Sequence, residues 1–100
     1  MAEQLFEEAT EVDGSNARAF AGLGDVHFQQ RDFSTARRYH RRAISLDSRN
    51  ADYYSKLGTD YFRLGSYEDA IRAWEQALEL DSDNADAARY IEIARQRLEE

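Results

Sequence analysis

The sequence predicts an all-α fold of stacked antiparallel helix pairs, on three observations. Residues 17–50 and 51–84 align without a gap, at an offset of 34 residues. Within each unit the apolar residues recur three and four apart, the spacing of one helix face. The chain contains no proline, the residue least compatible with a helix interior. A fixed internal period takes precedence over any local reading, because it means that one supersecondary unit is used more than once.

The elements follow in order. Ala2, Phe6, Ala9, Val12, Asp13 and Asn16 stand in register with Ala36, His40, Ala43, Leu46, Asp47 and Asn50. Residues 2–16 therefore read as the second half of a unit, with a helix near 2–12. Asn16, Asn50 and Asn84 can each accept from the free N–H groups of a following helix, which places helix starts at 17, 51 and 85. Asp32 and Ser66 serve the second helices, and Ser66 with Asp69 approximates a capping box. Gly65 suits a left-handed helix end. The predicted helices span 17–30, 33–46, 51–64, 67–80 and 85–98. Within a unit, Phe20, Leu23 and His27, or Tyr54, Leu57 and Tyr61, share one helix face. Ala36, His40 and Ala43, or Ala70, Trp74 and Ala77, share the next.

Gly58 interrupts an otherwise helical stretch, at a cost of ~1 kcal/mol against alanine. A glycine in such a place lets another backbone come close. The predicted neighbour is Ala70, a second small residue on the following helix. The corresponding position in the last helix is Glu92, which would keep a further helix away. Residues 85–100 thus read as an end cap, packed through Ala87, Ile91, Ala94 and Leu98 and solvated by Arg89, Arg95, Arg97, Glu99 and Glu100.

Composition narrows the function. One hundred residues make a single domain, 1–100. There is no cysteine, hence no disulfide, thiolate nucleophile or cysteine zinc site. A net charge of −7 argues against general affinity for nucleic acid or anionic lipid. Met1-Ala2-Glu3-Gln4 lacks the basic-then-apolar pattern of a signal peptide, and no apolar run is long enough for a bilayer. A cytoplasmic setting is the expectation, as is a fragment of a longer array, since the chain opens on half a unit. No catalytic constellation is present, and no cofactor or metal is implied. His27 and His40 fall in inward-facing slots without third and fourth ligands at a suitable spacing. Asp13, Asp47 and Asp81 recur with the period, which marks them as structural.

Phe20-x-x-Leu23-Gly24-x-x-His27 with Ala36-x-x-x-His40 and Ala43, and Tyr54-x-x-Leu57-Gly58-x-x-Tyr61 with Ala70-x-x-x-Trp74 and Ala77, resemble the tetratricopeptide repeat (TPR) family. Gly14, Ser48 and Ser82 replace the proline usual near the end of each repeat. The resemblance implies a right-handed superhelical stack: a half repeat (2–16), two repeats (17–50 and 51–84) and a capping helix (85–100). It also implies a non-catalytic protein–protein interaction module, whose first helices line a concave groove for a partner's peptide segment. By register that groove shows Arg18, Ala21, Asp25, Phe28 and Gln29, then Asp52, Ser55, Thr59, Phe62 and Arg63, then Asp86, Arg89, Ile93 and Gln96. Phe28 and Phe62 are expected to grip apolar side chains, and Arg63 and Arg89 to hold a carboxylate. Family members that read chaperone tails use a Lys/Asn/Arg clamp. The corresponding places here hold Ala21, Asp25, Lys56, Asp86 and Tyr90, of which only Lys56 fits, so that ligand is not expected.

Two other readings stand beside it. One is a structural spacer in a longer repeat protein, or a unit that self-associates weakly through an apolar edge at Leu5 and Phe6. The other is an anion or nucleic-acid binder through Arg37-Arg38-Tyr39-His40-Arg41-Arg42, whose arginines form two ridges four residues apart. The competing account of that run is structural. It lies between helices carrying Glu3, Glu7, Glu8 and Glu11 on one side and Glu68, Asp69, Glu75 and Glu79 on the other, so pairing between helices is expected.

Overall fold

A computed structural model describes residues 16–100. The predicted helix at 2–12, the edge at Leu5 and Phe6 and the glutamates before Asp13 lie outside the described residues. The rest forms five helices: α1 (Ala17–Gln29), α2 (Phe33–Leu46), α3 (Ala51–Arg63), α4 (Tyr67–Leu80) and α5 (Ala85–Glu99). Each packs against its neighbours in sequence, as the three- and four-residue connections require of antiparallel pairs.

The caps explain where helices begin. Asn16 Oδ1 accepts from Ala19 N at 3.1 Å, Asn50 Oδ1 from Asp52 N at 3.0 Å, and Asn84 Oδ1 from Ala87 N at 3.0 Å. Asp32 caps α2 through Thr35 N at 3.3 Å. The predicted capping box at α4 does not form: Ser66 makes no side-chain cap bond. That start relies on Glu68 and Asp69 in the first turn, which complement the helix dipole.

The ends of α1 and α3 repeat one another. Gly65 N donates to Phe62 O at 3.0 Å and Ser66 N to Tyr61 O at 2.9 Å, with Gly65 at φ +82°. Arg31 N and Asp32 N make the same bonds to Phe28 O and His27 O, but the left-handed residue there is Arg31, at φ +64°. This paired closure satisfies the last carbonyls. At Arg31 it does so with a side chain that disfavours the conformation.

Two apolar clusters follow the repeat. One gathers Phe20, Leu23, Ala43 and Tyr53, and the other Trp74, Ala77, Ala87 and Ile91. Gly58 lies against the Trp74 indole rather than Ala70. A Cβ at residue 58 would fall 2.6 Å from Trp74 Cδ1 and 2.7 Å from Cε2. Gly24 admits His40 in the same way, with Cδ2 2.5 Å from such a Cβ. The glycines therefore make room for a ring one turn beyond the small residue that the sequence pointed to. In α5, Ala87, Ile91 and Ala94 are buried as expected, but Leu98 is 46% exposed, because no described element covers the last turn. Glu92 is exposed. Among the described residues, no helix is long and apolar enough to cross a membrane.

Candidate functional site

Three clefts lie along the face to which α1, α3 and α5 contribute. The first, about 170 Å³, is lined by Asp25, Phe28, His40, Lys56 and Thr59. The second, about 300 Å³, is lined by Thr59, Phe62, Arg63, Trp74, Tyr90, Ile93 and Arg97. Thr59 belongs to both, so the two adjoin. A third, about 230 Å³, lies among Phe28, Gln29, Arg31, Phe33 and Arg63. A larger depression of about 580 Å³ is lined only from α4, by Arg72, Glu75, Gln76, Leu78 and Glu79. With one helix as its wall it cannot enclose an occupant.

Beneath the first cleft lies a polar network drawn from three helices. Lys56 Nζ donates to both oxygens of Asp25, at 2.9 and 3.0 Å. His40 Nε2 stands 3.2 Å from Asp25 Oδ1, and His40 Nδ1 is hydrogen-bonded to Asp60 Oδ2. For both ring contacts to be hydrogen bonds, the ring and Asp60 must share one proton beyond that of a neutral imidazole. Asp60 is fully buried, and its Oδ1 has no hydrogen-bond partner. Burial pushes the Asp60 carboxyl above its ordinary range, against the opposing pull of the His40 bond and charge. Among the described residues, no group of three or more His, Asp or Glu side chains is disposed to hold a metal ion.

The residues singled out in the sequence occupy different situations. Phe28 and Phe62 are half-buried. Phe28 packs edge-on to Phe33 at 5.1 Å, and Phe62 edge-on to Tyr67 at 5.2 Å. Each also lies under a guanidinium, Arg63 over Phe28 at 6.0 Å and Arg97 over Phe62 at 5.9 Å. Asp25 is engaged by Lys56 and His40. Thr59 lines the shared wall, with its hydroxyl donating to Ser55 O at 3.1 Å. Ser55 is a structural junction: its carbonyl also accepts from Trp74 Nε1 at 3.2 Å, and its hydroxyl accepts from Asn84 Nδ2 at 3.2 Å. Ala21, placed in the groove by register, is buried in the first cluster. Arg89 is exposed and lines none of the three clefts.

Trp74, His40, Asp60 and Arg97 escaped the groove reading. The first two form floor rather than wall, because second helices close the bottom of the clefts. The period does mark Arg97: it stands 34 residues after Arg63, as Phe62 does after Phe28. It serves the cleft instead of merely solvating α5. The expected pairing of the Arg37–Arg42 run is also absent among the described residues. Arg37 lies over Tyr61 at 6.0 Å and Arg42 over Phe20 at 5.5 Å. None of the four arginines forms an ion pair with Glu68, Asp69, Glu75 or Glu79. Asp69 pairs with Arg72, and Glu75 with Arg95.

The family model for the tetratricopeptide repeat matches residues 2–53, and a second TPR repeat model matches residues 58–89. The chain belongs to the tetratricopeptide repeat family. A search of curated proteins returns no significant match to its sequence. Solved TPR structures superpose closely. The first TPR of Spaghetti (RPAP3), bound to an HSP90 peptide, gives a TM-score of 0.90 at 22% identity, covering 98% of this chain and 78% of that one. The crystal structure of MamA gives 0.88 at 28% identity, covering 94% of this chain and 55% of MamA. The second TPR domain of human RPAP3, in complex with an HSP70 peptide, gives 0.86 at 22% identity, covering 93% and 78%. These likenesses show the TPR fold. Lys56, the side chain that the resemblance sets at a clamp place of chaperone-tail readers, is held by Asp25.

Proposed function

We propose that the chain is a non-catalytic protein-interaction module that takes a partner's peptide segment along the face of α1, α3 and α5. The observation that carries this is the continuity of the first two clefts through Thr59. Together they offer an aromatic floor and wall with cationic rims, which suits alternating apolar and polar side chains of an extended segment. The RPAP3 domains, captured with chaperone peptides, support a peptide as the kind of partner. They do not extend to a chaperone tail, because Asp25 neutralises Lys56 and the remaining clamp places hold Ala21, Asp86 and Tyr90. The units 17–50 and 51–84 supply the face, and α5 closes it as a cap. Selection of a displayed random-peptide library on the immobilised protein tests the reading. Enriched peptides should be lost on Phe28→Ala/Phe62→Ala. An empty selection, or peptides retained equally by that variant, would sink it.

A further inference from the structure

The geometry points to a defined occupant for the cleft between α3 and α5: a bulky apolar side chain, aromatic or leucine, with a carboxylate beside it in the same peptide. This rests on the peptide-groove reading above and assigns the chemistry of its ligand.

The apolar half of the argument is the lining. Phe62, Trp74, Tyr90 and Ile93 surround about 300 Å³, near the lower end of ligand sites and suited to one large side chain. Trp74 is 2% exposed and forms the floor, whereas Tyr90 is 42% exposed and leaves the mouth open.

The charged half rests on Arg63 and Arg97, which border the same cleft. Two other cations of α3 and α5 are already engaged. Lys56 is bound to Asp25, and Arg95 is paired with Glu75 and Glu92. Arg63 and Arg97 form no ion pair among the described residues. Their contacts are with the Phe28 and Phe62 rings. A ring contact engages no hydrogen-bond acceptor, so the guanidinium donors stay available to a carboxylate. It also restrains a long side chain before binding, which lowers the entropy lost on association.

Charge complementarity then selects the ligand. On a protein of net charge −7, an acidic segment gains most where cations without a carboxylate partner border the apolar cleft itself, at Arg63 and Arg97, which fixes its position. A basic segment would leave them unpaired and facing like charge. Because Arg63 and Arg97 are one repeat period apart and the Phe28–Arg63 contact repeats as Phe62–Arg97, an adjoining acidic residue meets the same chemistry at the neighbouring cleft.

An array of capped heptapeptides tests this, with Phe, Leu or Ala at the centre and Glu, Gln or Lys on either side, probed with the labelled protein at low and moderate salt. Glu-flanked Phe and Leu peptides should be retained most strongly. Arg63→Gln/Arg97→Gln should weaken them about tenfold or more, the scale of a charged hydrogen-bonded pair, and salt should weaken them in the wild type. Both arginines are exposed, so the variant should keep the wild-type melting curve. Equal retention of Gln- or Lys-flanked peptides, or Glu-flanked binding indifferent to the double substitution, would overturn the proposal. If such binding still vanished on Phe28→Ala/Phe62→Ala, the groove reading would stand without it. Loss of Glu-flanked binding on Arg41→Glu alone would move the site to α2 and overturn the assignment. Retention of no peptide would overturn it as well, and an empty library selection alongside would take the groove reading with it.

Discussion

Replacing Gly58 by alanine adds one methyl group where α3 lies against the Trp74 indole of α4. The new Cβ would lie 2.6–2.7 Å from Trp74 ring atoms, where carbon atoms ordinarily approach to about 3.5–4.0 Å. The ring must therefore withdraw by roughly 1 Å. It has little room to do so. Trp74 is 2% exposed, has Phe62 at 5.9 Å and Tyr90 at 5.4 Å, and donates its indole N–H to Ser55 O. Overpacking of this kind costs ~1–3 kcal/mol, and weakening the indole bond adds up to ~1 kcal/mol. Alanine returns ~1 kcal/mol of helix propensity. At the middle of these ranges the net is a loss of ~1.5 kcal/mol, or a fall in Tm of roughly 6–12 °C for a domain of this size. Gly22→Ala is the internal control, since no group of the described residues outside its own turn lies within 4 Å of a Cβ there. It gains the propensity alone and should raise Tm by a few degrees. Thermal melts by circular dichroism measure both. Emission from Trp74, the only tryptophan, should shift in the Gly58 variant and not in the Gly22 variant. If Gly58→Ala melts with the wild type and its emission is unchanged, the indole is not braced against that backbone.

Further outcomes follow from the helix ends and the buried acid. Asn84→Ala should lose ~1–2 kcal/mol, because one side chain both caps α5 and bonds Ser55, whereas Ser66→Ala should cost little; amide exchange should rise across residues 85–99 only in the first. Arg31→Gly should gain up to ~1 kcal/mol by relieving a left-handed side-chain residue, visible as a higher urea midpoint, and an unchanged midpoint would count against strain there. For Asp60 the folded carboxyl titrates above its ordinary 3.8. Its contribution is therefore greatest at low pH, falls as pH rises from about 3.8 to the raised value, and is flat above it. Urea midpoints of the wild type and Asp60→Asn, compared from pH 3 to 7, should converge or cross in that window; parallel profiles would show that Asp60 titrates normally.

The fold was legible because one period wrote it twice. The asparagine caps and the Leu-Gly pairs appear at matching places, so helix ends fell within one residue of expectation for α1 to α5. What the sequence concealed depends on which element covers a residue. Nothing in the repeat marks Asp60 for burial: its register mate Val26 is 45% exposed. It is buried because His40, from the preceding unit, reaches it. Trp74 and Ala70 share one helix face, and spacing alone does not say which of them a glycine faces; ring reach decided it. Phe28, Phe62, Arg63 and Thr59 came together at the clefts as first-helix residues should. Arg89, one turn away, did not, because helical register places a side chain on a sector of surface without fixing its distance from a cleft.

The ring slots beside Gly24 and Gly58 make the two units non-interchangeable. In the first slot a small polar ring, His40, is matched by a carboxylate from the following unit, Asp60. In the second, a large indole, Trp74, shares a core cluster with Ala94, the residue one period beyond Asp60. Volume and polarity are thus exchanged together across each junction. Reversing the order of the units would set His40 near Ala94, with its ring nitrogens stripped of a buried acceptor, and would leave Asp60 without its histidine. Most stacks of this kind can be lengthened by copying a unit; here each seam accepts one successor, so the array carries a direction as well as a period.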